Sequence, residues 1–375
     1  MSIAPTDRPL ITHYPGIQHA ISHVSLGSLP TPVERLQTLE QVLGVSDTRL
    51  YVKRDDLSGR PYGGNKVRKL EFLLARAAQQ GYKEVLTFGG AGSNHALATG
   101  LYARQMGLQS ISMLIPQPNA QGVRTNLLMS LHAGIELHQS PGMLRTALDS
   151  LKQVGLHKLR TGQFPYLIAP GGTSALGMVG FVNAAFELKE QIDHGELPEP
   201  DLIYAASGTM GTVVGLLLGL KAAGLKAKVA AVRVTEAQFS SERKAARLFR
   251  STARLLHRAD PAFPLLPFPA EDFLFVHDFY GEAYGLYTPE AMEAVRLLND
   301  TSGLHLEGTY TGKTFAALLA DVKANRLENK SALFWNTHNS QDFSGEIAGM
   351  DYHDLPAEFY RYFEEPVQPL DLLPH

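Results

Sequence analysis

Apolar positions follow two different spacings along the chain, and each spacing predicts one kind of element. Between residues 66 and 80, the side chains of Val67, Leu70, Leu74 and Ala77 recur every three or four residues, which predicts an amphipathic helix. Short uninterrupted apolar runs elsewhere predict buried strands. Such strands are predicted over 85–88, 111–115, 135–138, 166–169, 202–206, 229–234 and 332–335.

Helical segments separate most of these strands, so the chain alternates between the two element types. Helices are predicted over 96–106, 127–133 and 176–192, and another begins near Pro289, because proline is favoured in the first helical turn. This alternation predicts an α/β fold in which mostly parallel sheets are covered by helices.

A proline- and glycine-rich break near residues 170–172 divides the alternation into two lobes. We therefore expect a large domain formed by 1–65 plus 172–375 and a small domain formed by 66–171. Residues 242–273 change from a basic helical pattern to a proline-rich stretch, which predicts an insertion. The segment after Asp351 is expected to be a surface extension.

Composition excludes several classes of protein. The 375 residues are 44% hydrophobic and 19% charged, with a formal net charge of −3, so a globular protein is expected and neither nucleic acid nor an anionic membrane is an expected partner. The chain has no cysteine, which excludes disulfides, thiolate nucleophiles and cysteine-ligated metals. This absence fits a reducing compartment and also export. The first 18 residues lack a signal-peptide pattern, so we expect a cytoplasmic protein.

Two familiar catalytic motifs are absent, and a third is incomplete. The sequence contains neither His-Glu-x-x-His nor Gly-x-Ser-x-Gly, and no metal site is predicted. Gly312, Lys313 and Thr314 are similar to the end of a phosphate-binding P-loop, but Glu307 stands where that motif begins with glycine. We therefore do not expect a nucleoside triphosphatase.

Three cations stand in the first turn of the helix predicted from residue 66. Asn65 is a plausible N-cap, and Lys66, Arg68 and Lys69 follow it. Positive charge is unfavourable at a helix N-terminus. Crowding by cations should lower the pKa of a lysine there and favour the neutral amine that nucleophilic catalysis requires. The alternative is a solvated basic turn whose charge is partly offset by Glu71.

A glycine-rich turn before the next predicted helix ends in Ser93, Asn94 and His95. Hydroxyl, amide and imidazole groups at a helix N-terminus suit a carboxylate or another polar substrate group. A simple capped turn, with Ser93 or Asn94 as the N-cap, explains the same residues.

A second strand–helix turn is rich in small residues and hydroxyl groups. It consists of Ser207, Gly208, Thr209, Met210, Gly211 and Thr212. Consecutive backbone N–H groups at a helix N-terminus form a cradle for an anion. The turn contains no lysine, so it suits a phosphate monoester held by the backbone, unless it is only a flexible connection.

Two tyrosines late in the chain lie close to glycines. Tyr284 precedes Gly285, and Tyr310 is followed by Thr311 and Gly312. Each of them alone is explained by packing, but together with the other motifs they become candidate proton donors or substrate contacts.

Taken together, these segments resemble the 1-aminocyclopropane-1-carboxylate (ACC) deaminase / D-cysteine desulfhydrase family of pyridoxal-phosphate enzymes. The segments 53–57, 63–71, 93–96 and 310–313 stand in the order and spacing of that family. The similarity runs from about residue 29 to residue 339 and omits the insertion. It implies the two-lobed fold type II, which is similar to the tryptophan synthase β subunit, with the large domain binding pyridoxal 5'-phosphate.

The resemblance also implies roles on the cofactor side of the site. Lys66 is similar to the Schiff-base lysine that also moves the α-proton, and Asn94 to the residue that hydrogen-bonds the 3'-oxygen of the cofactor. The segment from Ser207 to Thr212 matches the phosphate loop. Thr337, or a neighbour, is expected beside the pyridine nitrogen.

On the substrate side, the resemblance implies that Ser93, Asn94 and His95 hold the substrate, with Ser93 also a partner in proton transfer. Tyr284 and Tyr310 match active-site tyrosines that face the substrate. A homodimer is implied as well.

The subtype depends on single positions. Deaminases of the family typically carry Glu where this chain has Thr311, and Gln where it has His95. A hydroxyl from Thr337 would make a weaker electron sink than a carboxylate, which suits α,β-elimination. The resemblance therefore favours elimination from a small amino acid such as D-cysteine, giving pyruvate, ammonia and sulfide.

Three alternatives stay open at this stage. The first is ACC deaminase activity, which gives 2-oxobutyrate and ammonia. The second is a catalytically idle cofactor carrier or sensor, because Gly92 and the loop Asn336 to Asn339 depart from the family pattern. The third is a phosphosugar-binding protein that uses only the loop beginning at Ser207.

Overall fold

The computed structural model describes residues 8–372, including all of their side chains except those of residues 143 and 144. Residues 1–7, which begin the segment analysed for a signal peptide, and residues 373–375 lie outside this range. Within the described range, no helix is both long enough and apolar enough to cross a membrane.

Ten strands in the described residues form two separate sheets. They are β1 (Val33–Arg35), β2 (Arg49–Lys53), β3 (Glu84–Gly90), β4 (Gln109–Ile115), β5 (Glu136–Gln139), β6 (Tyr166–Leu167), β7 (Leu202–Ser207), β8 (Lys228–Arg233), β9 (Phe273–Val276) and β10 (Ser331–Trp335). The larger sheet has the order β1-β2-β10-β7-β8-β9, and the smaller has the order β5-β4-β3-β6. Only β1 and β2 pair antiparallel among these strands. The prediction of mostly parallel sheets is thus confirmed.

Helices cover both sheets. In the described residues they are α1 (Pro9–His13), α2 (Gly16–Ala20), α3 (Gln37–Leu43), α4 (Lys66–Gln79), α5 (Asn94–Gln105), α6 (Gln121–His132), α7 (Met143–Thr161), α8 (Ala175–Asp193), α9 (Gly211–Ala222), α10 (Glu242–Ala259), α11 (Pro289–Ser302), α12 (Thr311–Lys323), α13 (Ser344–Ile347) and α14 (Arg361–Glu364). The predicted helices at 66–80 and 176–192 are confirmed as α4 and α8, while β1, β2, β9, α7 and α12 were not predicted.

A buried ion network fixes helix α4 against the larger sheet. The guanidinium of Arg68 contacts Asp55 at 2.7 Å and Glu187 at 2.8 Å, and the amine of Lys53 contacts Glu187 at 2.7 Å. The indole nitrogen of Trp335 donates to Asp55 at 2.7 Å. Strands β2 and β10 and helices α4 and α8 therefore meet in one hydrogen-bonded cluster, which sets the position of the residues at the start of α4.

The segment after Asp351 was expected to be a surface extension, and this expectation is wrong. Phe359 and Tyr362 are buried in the hydrophobic cluster that packs around the smaller sheet. The backbone carbonyl of Tyr362 accepts from the side chain of Arg124 at 2.6 Å. In this segment short apolar groups lie between prolines and follow neither a helical nor a strand period. The sequence pattern therefore could not predict this packing.

The predicted insertion at 242–273 begins with α10, which packs into the core of the larger sheet through Phe249, Ala253 and Leu256. No residue of α10 lines the main cavity described below.

Candidate active site

A cavity of about 420 Å³ lies where strands of both sheets end. Its wall takes Gly90 from the end of β3 and Ile115 from the end of β4. The larger sheet contributes residues that follow β7, β8 and β10 within two positions, namely Gly208, Thr235 and Thr337. Ligands of parallel α/β sheets bind at the carboxyl ends of strands, so this cavity is the candidate active site.

Lys66 is the first residue of α4, and its amine lies in the wall of the cavity. Burial lowers the pKa of Lys66 to about 8, and the carboxylate of Glu307 opposes part of this effect. The amine lies 6.0 Å from the centre of the Tyr310 ring and donates to the side chain of Asn65 at 2.7 Å. A substantial fraction of the amine is therefore neutral near physiological pH.

The lowered pKa of Lys66 was predicted, but the reason given for it was wrong. Arg68 does not crowd Lys66 with charge, because Arg68 is paired with two buried carboxylates. Asn65 stands at the N-cap position, but its side chain makes no capping hydrogen bond and instead donates to Thr212 at 2.9 Å. Asn65 thus joins the start of α4 to the start of α9.

The turn before α5 places three polar side chains in the cavity wall. Ser93 is the N-cap of α5 and accepts from the backbone N–H of Ala96 at 3.2 Å. The Oδ1 atom of Asn94 accepts from the Tyr62 hydroxyl and from the Asn126 amide, each at 2.8 Å. The amide nitrogen of Asn94 is thereby left to donate.

His95 is only 3% exposed, and neither of its ring nitrogens makes a normal hydrogen bond to another described residue. Burial and the nearby amines of Lys66 and Lys69 lower the pKa of His95 well below its usual value. The imidazole is therefore neutral, and apart from a weak contact with the backbone of Ala169 its ring nitrogens are left to a ligand.

The loop between β7 and α9 forms a small cradle. Gly208, Thr209, Met210, Gly211 and Thr212 line the cavity, whereas Ser207 is fully buried and its hydroxyl contacts that of Ser240. A Cβ atom on Gly211 would lie 2.7 Å from the Thr173 hydroxyl, so only glycine leaves the cradle open.

A lysine from another helix borders this cradle, although the turn itself contains none. The amine of Lys69 would lie only 2.9 Å from a Cβ atom placed on Gly211, and it donates to the carbonyl of Gly171 at 3.1 Å. This contact cannot be predicted from the sequence, because Lys69 and Gly211 lie on different helices, far apart in the chain.

Tyr284 and Tyr310 share a hydrogen bond between their hydroxyl groups. Burial raises the pKa of Tyr284 to about 12 and that of Tyr310 well above its usual value, so both keep their protons at neutral pH. Glu307 caps the start of α12, where it accepts the backbone N–H groups of Thr309, Tyr310 and Thr311 at 2.8 Å each. In the sequence, Glu307 stood out only because it replaces the first glycine of a P-loop motif.

The loop after β10 completes the wall. Thr337 and His338 line the cavity, while the side chain of Asn339 accepts from the backbone N–H of Gly63 at 2.6 Å and does not reach the main cavity. Burial lowers the pKa of His338, so its imidazole is neutral.

The structure thus brings the predicted site residues together around one cavity, with the exception of Ser207. These residues are Lys66, Ser93, Asn94, His95, Gly208, Thr209, Met210, Gly211, Thr212, Tyr284, Tyr310 and Thr337. Their chemistry fits pyridoxal phosphate on three counts. A lysine amine is partly neutral, an open glycine cradle bordered by a second lysine suits a phosphate, and a buried imidazole makes no hydrogen bond of normal geometry.

Comparisons with known proteins agree with this fit. A family model described as "Pyridoxal-phosphate dependent enzyme" matches residues 24–337. A protein from Pyrococcus horikoshii named "Putative 1-aminocyclopropane-1-carboxylate deaminase" is 32% identical over 306 residues, which cover 80% of this chain and 86% of the relative. A D-cysteine desulfhydrase from Klebsiella pneumoniae is 30% identical over 310 residues, which cover 82% and 90%.

A solved structure gives the same result for the fold. The crystal structure of an ACC deaminase homologue matches with a TM-score of 0.73 at 27% sequence identity, covering 91% of this chain and 99% of that chain. With the family model spanning residues 24–337, the chain belongs to the pyridoxal-phosphate-dependent enzymes of fold type II, in the family of ACC deaminases and D-cysteine desulfhydrases.

Proposed function

We propose that this enzyme is a lyase that catalyses α,β-elimination from D-cysteine or a β-substituted analogue, giving pyruvate, ammonia and the leaving group. The observation that carries the proposal is the partly neutral amine of Lys66, with a pKa of about 8, in the wall of a cavity that also holds two protonated tyrosines.

Residues on both sides of the cavity would hold the cofactor. Lys66 would bind it covalently, the loop 208–212 together with Lys69 would hold its phosphate, and the free amide N–H of Asn94 would donate to its 3'-oxygen. Pyridoxal phosphate supplies an electron sink for the charge that remains at Cα when the α-proton is removed. Lys66 is the base for that proton, because its pKa lies near the working pH.

The substrate carboxylate would lie at the start of α5. The hydroxyl of Ser93, the backbone N–H groups there and the neutral imidazole of His95 are donors that face the cavity. These contacts fix the amino acid, so that Cα lies near the amine of Lys66. Ser93 is also a partner for proton transfer.

The tyrosine pair, Tyr284 and Tyr310, would protonate the leaving group. Tyr284 and Tyr310 are both protonated at neutral pH, so one of them can donate a proton to the leaving atom while the other stabilises the phenolate through their shared hydrogen bond.

The residues that would lie beside the pyridine ring would favour elimination over cyclopropane ring opening. Thr337 presents a hydroxyl to the cavity, and the carboxylate of Glu307 is already engaged by three backbone N–H groups. A pyridine nitrogen beside a hydroxyl gives a weaker electron sink, which is sufficient when a leaving group departs directly after α-proton loss.

A substrate panel tests the proposal. The purified holoenzyme should release pyruvate from D-cysteine or a β-substituted alanine, and Lys66→Ala should release none. Borohydride reduction followed by peptide mapping should place the cofactor on Lys66. Release of 2-oxobutyrate from ACC alone, bound cofactor without turnover of any amino acid, or labelling of another lysine would each contradict it.

We also infer a cytoplasmic homodimer divided into a large domain (1–65 plus 172–375) and a small domain (66–171). The cysteine-free composition is compatible with this compartment, and the strands of the two sheets fall on either side of the proposed division, whereas the segment after Asp351 packs on the smaller sheet. A sedimentation profile containing only monomer would remove the homodimer from this proposal.

A further inference from the structure

A second cavity of about 200 Å³ adjoins the main cavity. The two cavities share five wall residues, Asn94, Tyr284, Glu307, Tyr310 and His338. We call the second cavity the annex. Because the shared residues include the tyrosine pair and the asparagine beside the proposed carboxylate site, the annex lies next to the space that a substrate would occupy.

The residue before Ser93 is Gly92, which lets the turn pack closely against the wall of the annex. A Cβ atom on Gly92 would lie 2.7 Å from the side chain of Val123 and 3.1 Å from the amide nitrogen of Gln117, so any side chain at this position would collide with the annex wall. Gly122, on the first turn of α6, also lines the annex, and a Cβ atom there would meet nothing within 4 Å.

Several uncharged hydrogen-bonding groups line the annex beside its apolar and aromatic residues. Gln117, Thr125, Asn126 and Gln341 contribute amides and a hydroxyl. The carbonyl oxygen of the Gln117 side chain accepts from the backbone N–H of Gly92 at 3.0 Å, which leaves the Gln117 amide nitrogen available to donate into the annex.

Charge in the annex disfavours an anion. Among the described residues that line it there is neither lysine nor arginine, and its one carboxylate belongs to Glu307. Burial lowers the pKa of His338, so this imidazole adds no positive charge at neutral pH. An anionic substituent would therefore lose its hydration without gaining a cationic partner.

We propose that the annex is a subsite for the β-substituent of the substrate, and that it selects substituents that are uncharged and able to form hydrogen bonds. This proposal rests on the proposed function, because it names the substrate class of the same site. A volume of about 200 Å³ equals roughly six water molecules at about 30 Å³ each, so a substituent of about five or six non-hydrogen atoms would fill it.

S-carbamoylmethylcysteine is a suitable probe, since its sulfur carries an uncharged amide. In its elimination the Cα–H and Cβ–S bonds break, and the sulfur takes up a proton and leaves as 2-mercaptoacetamide. The remaining three-carbon unit takes up one water and releases ammonia, giving pyruvate. No oxidant or reductant is needed.

Three nearly isosteric substrates test the selectivity, each used as both enantiomers. They carry S-carbamoylmethyl, S-carboxymethyl and S-isobutyl groups. We expect kcat/KM for the amide to exceed those for the carboxylate and the alkyl analogue by about tenfold or more, which corresponds to about one hydrogen bond. Equal kcat/KM for all three would overturn the proposal.

Two matched glycine variants test the location. Gly122→Leu adds a side chain at the wall of the annex, whereas Gly155→Leu adds the same side chain to open space on α7, away from both cavities. We expect Gly122→Leu to lower kcat/KM for the amide substrate about tenfold or more while leaving that for free cysteine within about twofold. An equal effect on both substrates, or no effect on either, would overturn the annex as a subsite.

Spectral titration of the bound cofactor separates this proposal from the proposed function. If no amino acid is turned over, the proposed function fails, but binding can still be measured. A dissociation constant for the amide about tenfold below that for the carboxylate, lost in Gly122→Leu, would support the annex; equal constants would overturn it.

Discussion

At the scale of single residues, the most consequential feature is the amine of Lys66. Its pKa of about 8 means that the neutral, nucleophilic fraction grows as the pH rises. We expect the rate at which the cofactor-free enzyme takes up pyridoxal phosphate covalently to rise about tenfold per pH unit below pH 8 and to level off above it. Stopped-flow absorbance of the bound cofactor would measure this rate.

The control for this prediction is Lys66→Arg, because its guanidinium stays charged and should take up no cofactor covalently at any pH. A midpoint near the ordinary lysine value of 10.5 would contradict it, since the amine would then be as well hydrated as in a free chain.

Lys69 is expected to contribute to the affinity for pyridoxal phosphate. Its amine borders the cradle at Gly211, so it is placed to form a charge-assisted hydrogen bond to the cofactor phosphate. Such a bond contributes about 1.5–3 kcal/mol, so Lys69→Gln should raise the dissociation constant for pyridoxal phosphate about 10- to 150-fold by equilibrium dialysis. Lys323→Gln, which removes an exposed lysine, should have no effect. An unchanged constant for Lys69→Gln would show that the backbone alone holds the phosphate.

At the scale of elements, the sequence was informative wherever one period dominated a segment. Helix α8 was predicted over 176–192 and is observed at Ala175–Asp193. Helix α7 was not predicted, although Leu148, Leu151 and Leu159 recur at helical spacing. In the structure Leu151 and Leu159 are 71% and 84% exposed, whereas Ser150 and His157 are buried. The period of α7 was therefore readable from the sequence, but the direction in which its apolar face points was not.

The same reasoning explains which residues of the candidate site could be predicted from the sequence. Residues up to five positions after a strand end, such as Ser93 and Thr212, follow from the local pattern because parallel strands bring their carboxyl ends together. Lys69 and Glu307 could not be found in this way. Lys69 reaches Gly171, 102 positions away, and Glu307 reaches the cavity by capping α12.

The buried ion network anchors α4, so breaking it should lower the stability of the fold. Arg68→Met leaves the carboxylates of Asp55 and Glu187 buried without their main cation. Removing one partner of a buried ion pair costs about 3–5 kcal/mol, and we expect a loss of that size in the free energy of urea unfolding. Arg361→Met, which breaks an exposed pair with Glu365, should change stability by less than about 1 kcal/mol. Similar losses in the two variants would mean that the network does not anchor α4.

The network also makes stability depend on pH. Burial alone would raise the pKa of Glu187, but Arg68 and Lys53 outweigh burial and lower it to about 2 from an ordinary value of 4.5. A depressed carboxyl pKa stabilises the folded state above the unfolded-state value, and this stabilisation is lost as the pH falls from about 4.5 towards 2. Urea unfolding in that range should show a smaller pH slope in Glu187→Gln than in the wild type. Equal slopes would contradict the assignment.

At the scale of the whole molecule, the C-terminal segment links parts of the chain that belong to different sheets. The side chain of Gln368 accepts from the backbone N–H of Tyr287 at 2.8 Å and donates to the carbonyl of Gly285 at 3.0 Å. Its own backbone N–H donates to the carbonyl of Asn119, which follows strand β4 of the smaller sheet, at 3.0 Å. The loop that carries Tyr284 is therefore held to the smaller sheet through one glutamine.

Loss of the hydrogen bonds of Gln368 should affect both stability and catalysis. Gln368→Ala removes two side-chain hydrogen bonds, each contributing about 0.5–1.5 kcal/mol, so the free energy of unfolding should fall by about 1–3 kcal/mol. Because Tyr284 lies one residue before Gly285, the loosened loop should also lower kcat for elimination at temperatures where the variant is fully folded. Gln105→Ala, at an exposed position on α5, is the matched control and should change neither quantity. A variant at position 368 that loses stability but keeps its kcat would show that the segment only supports the fold, since positioning of the tyrosine would then be independent of it.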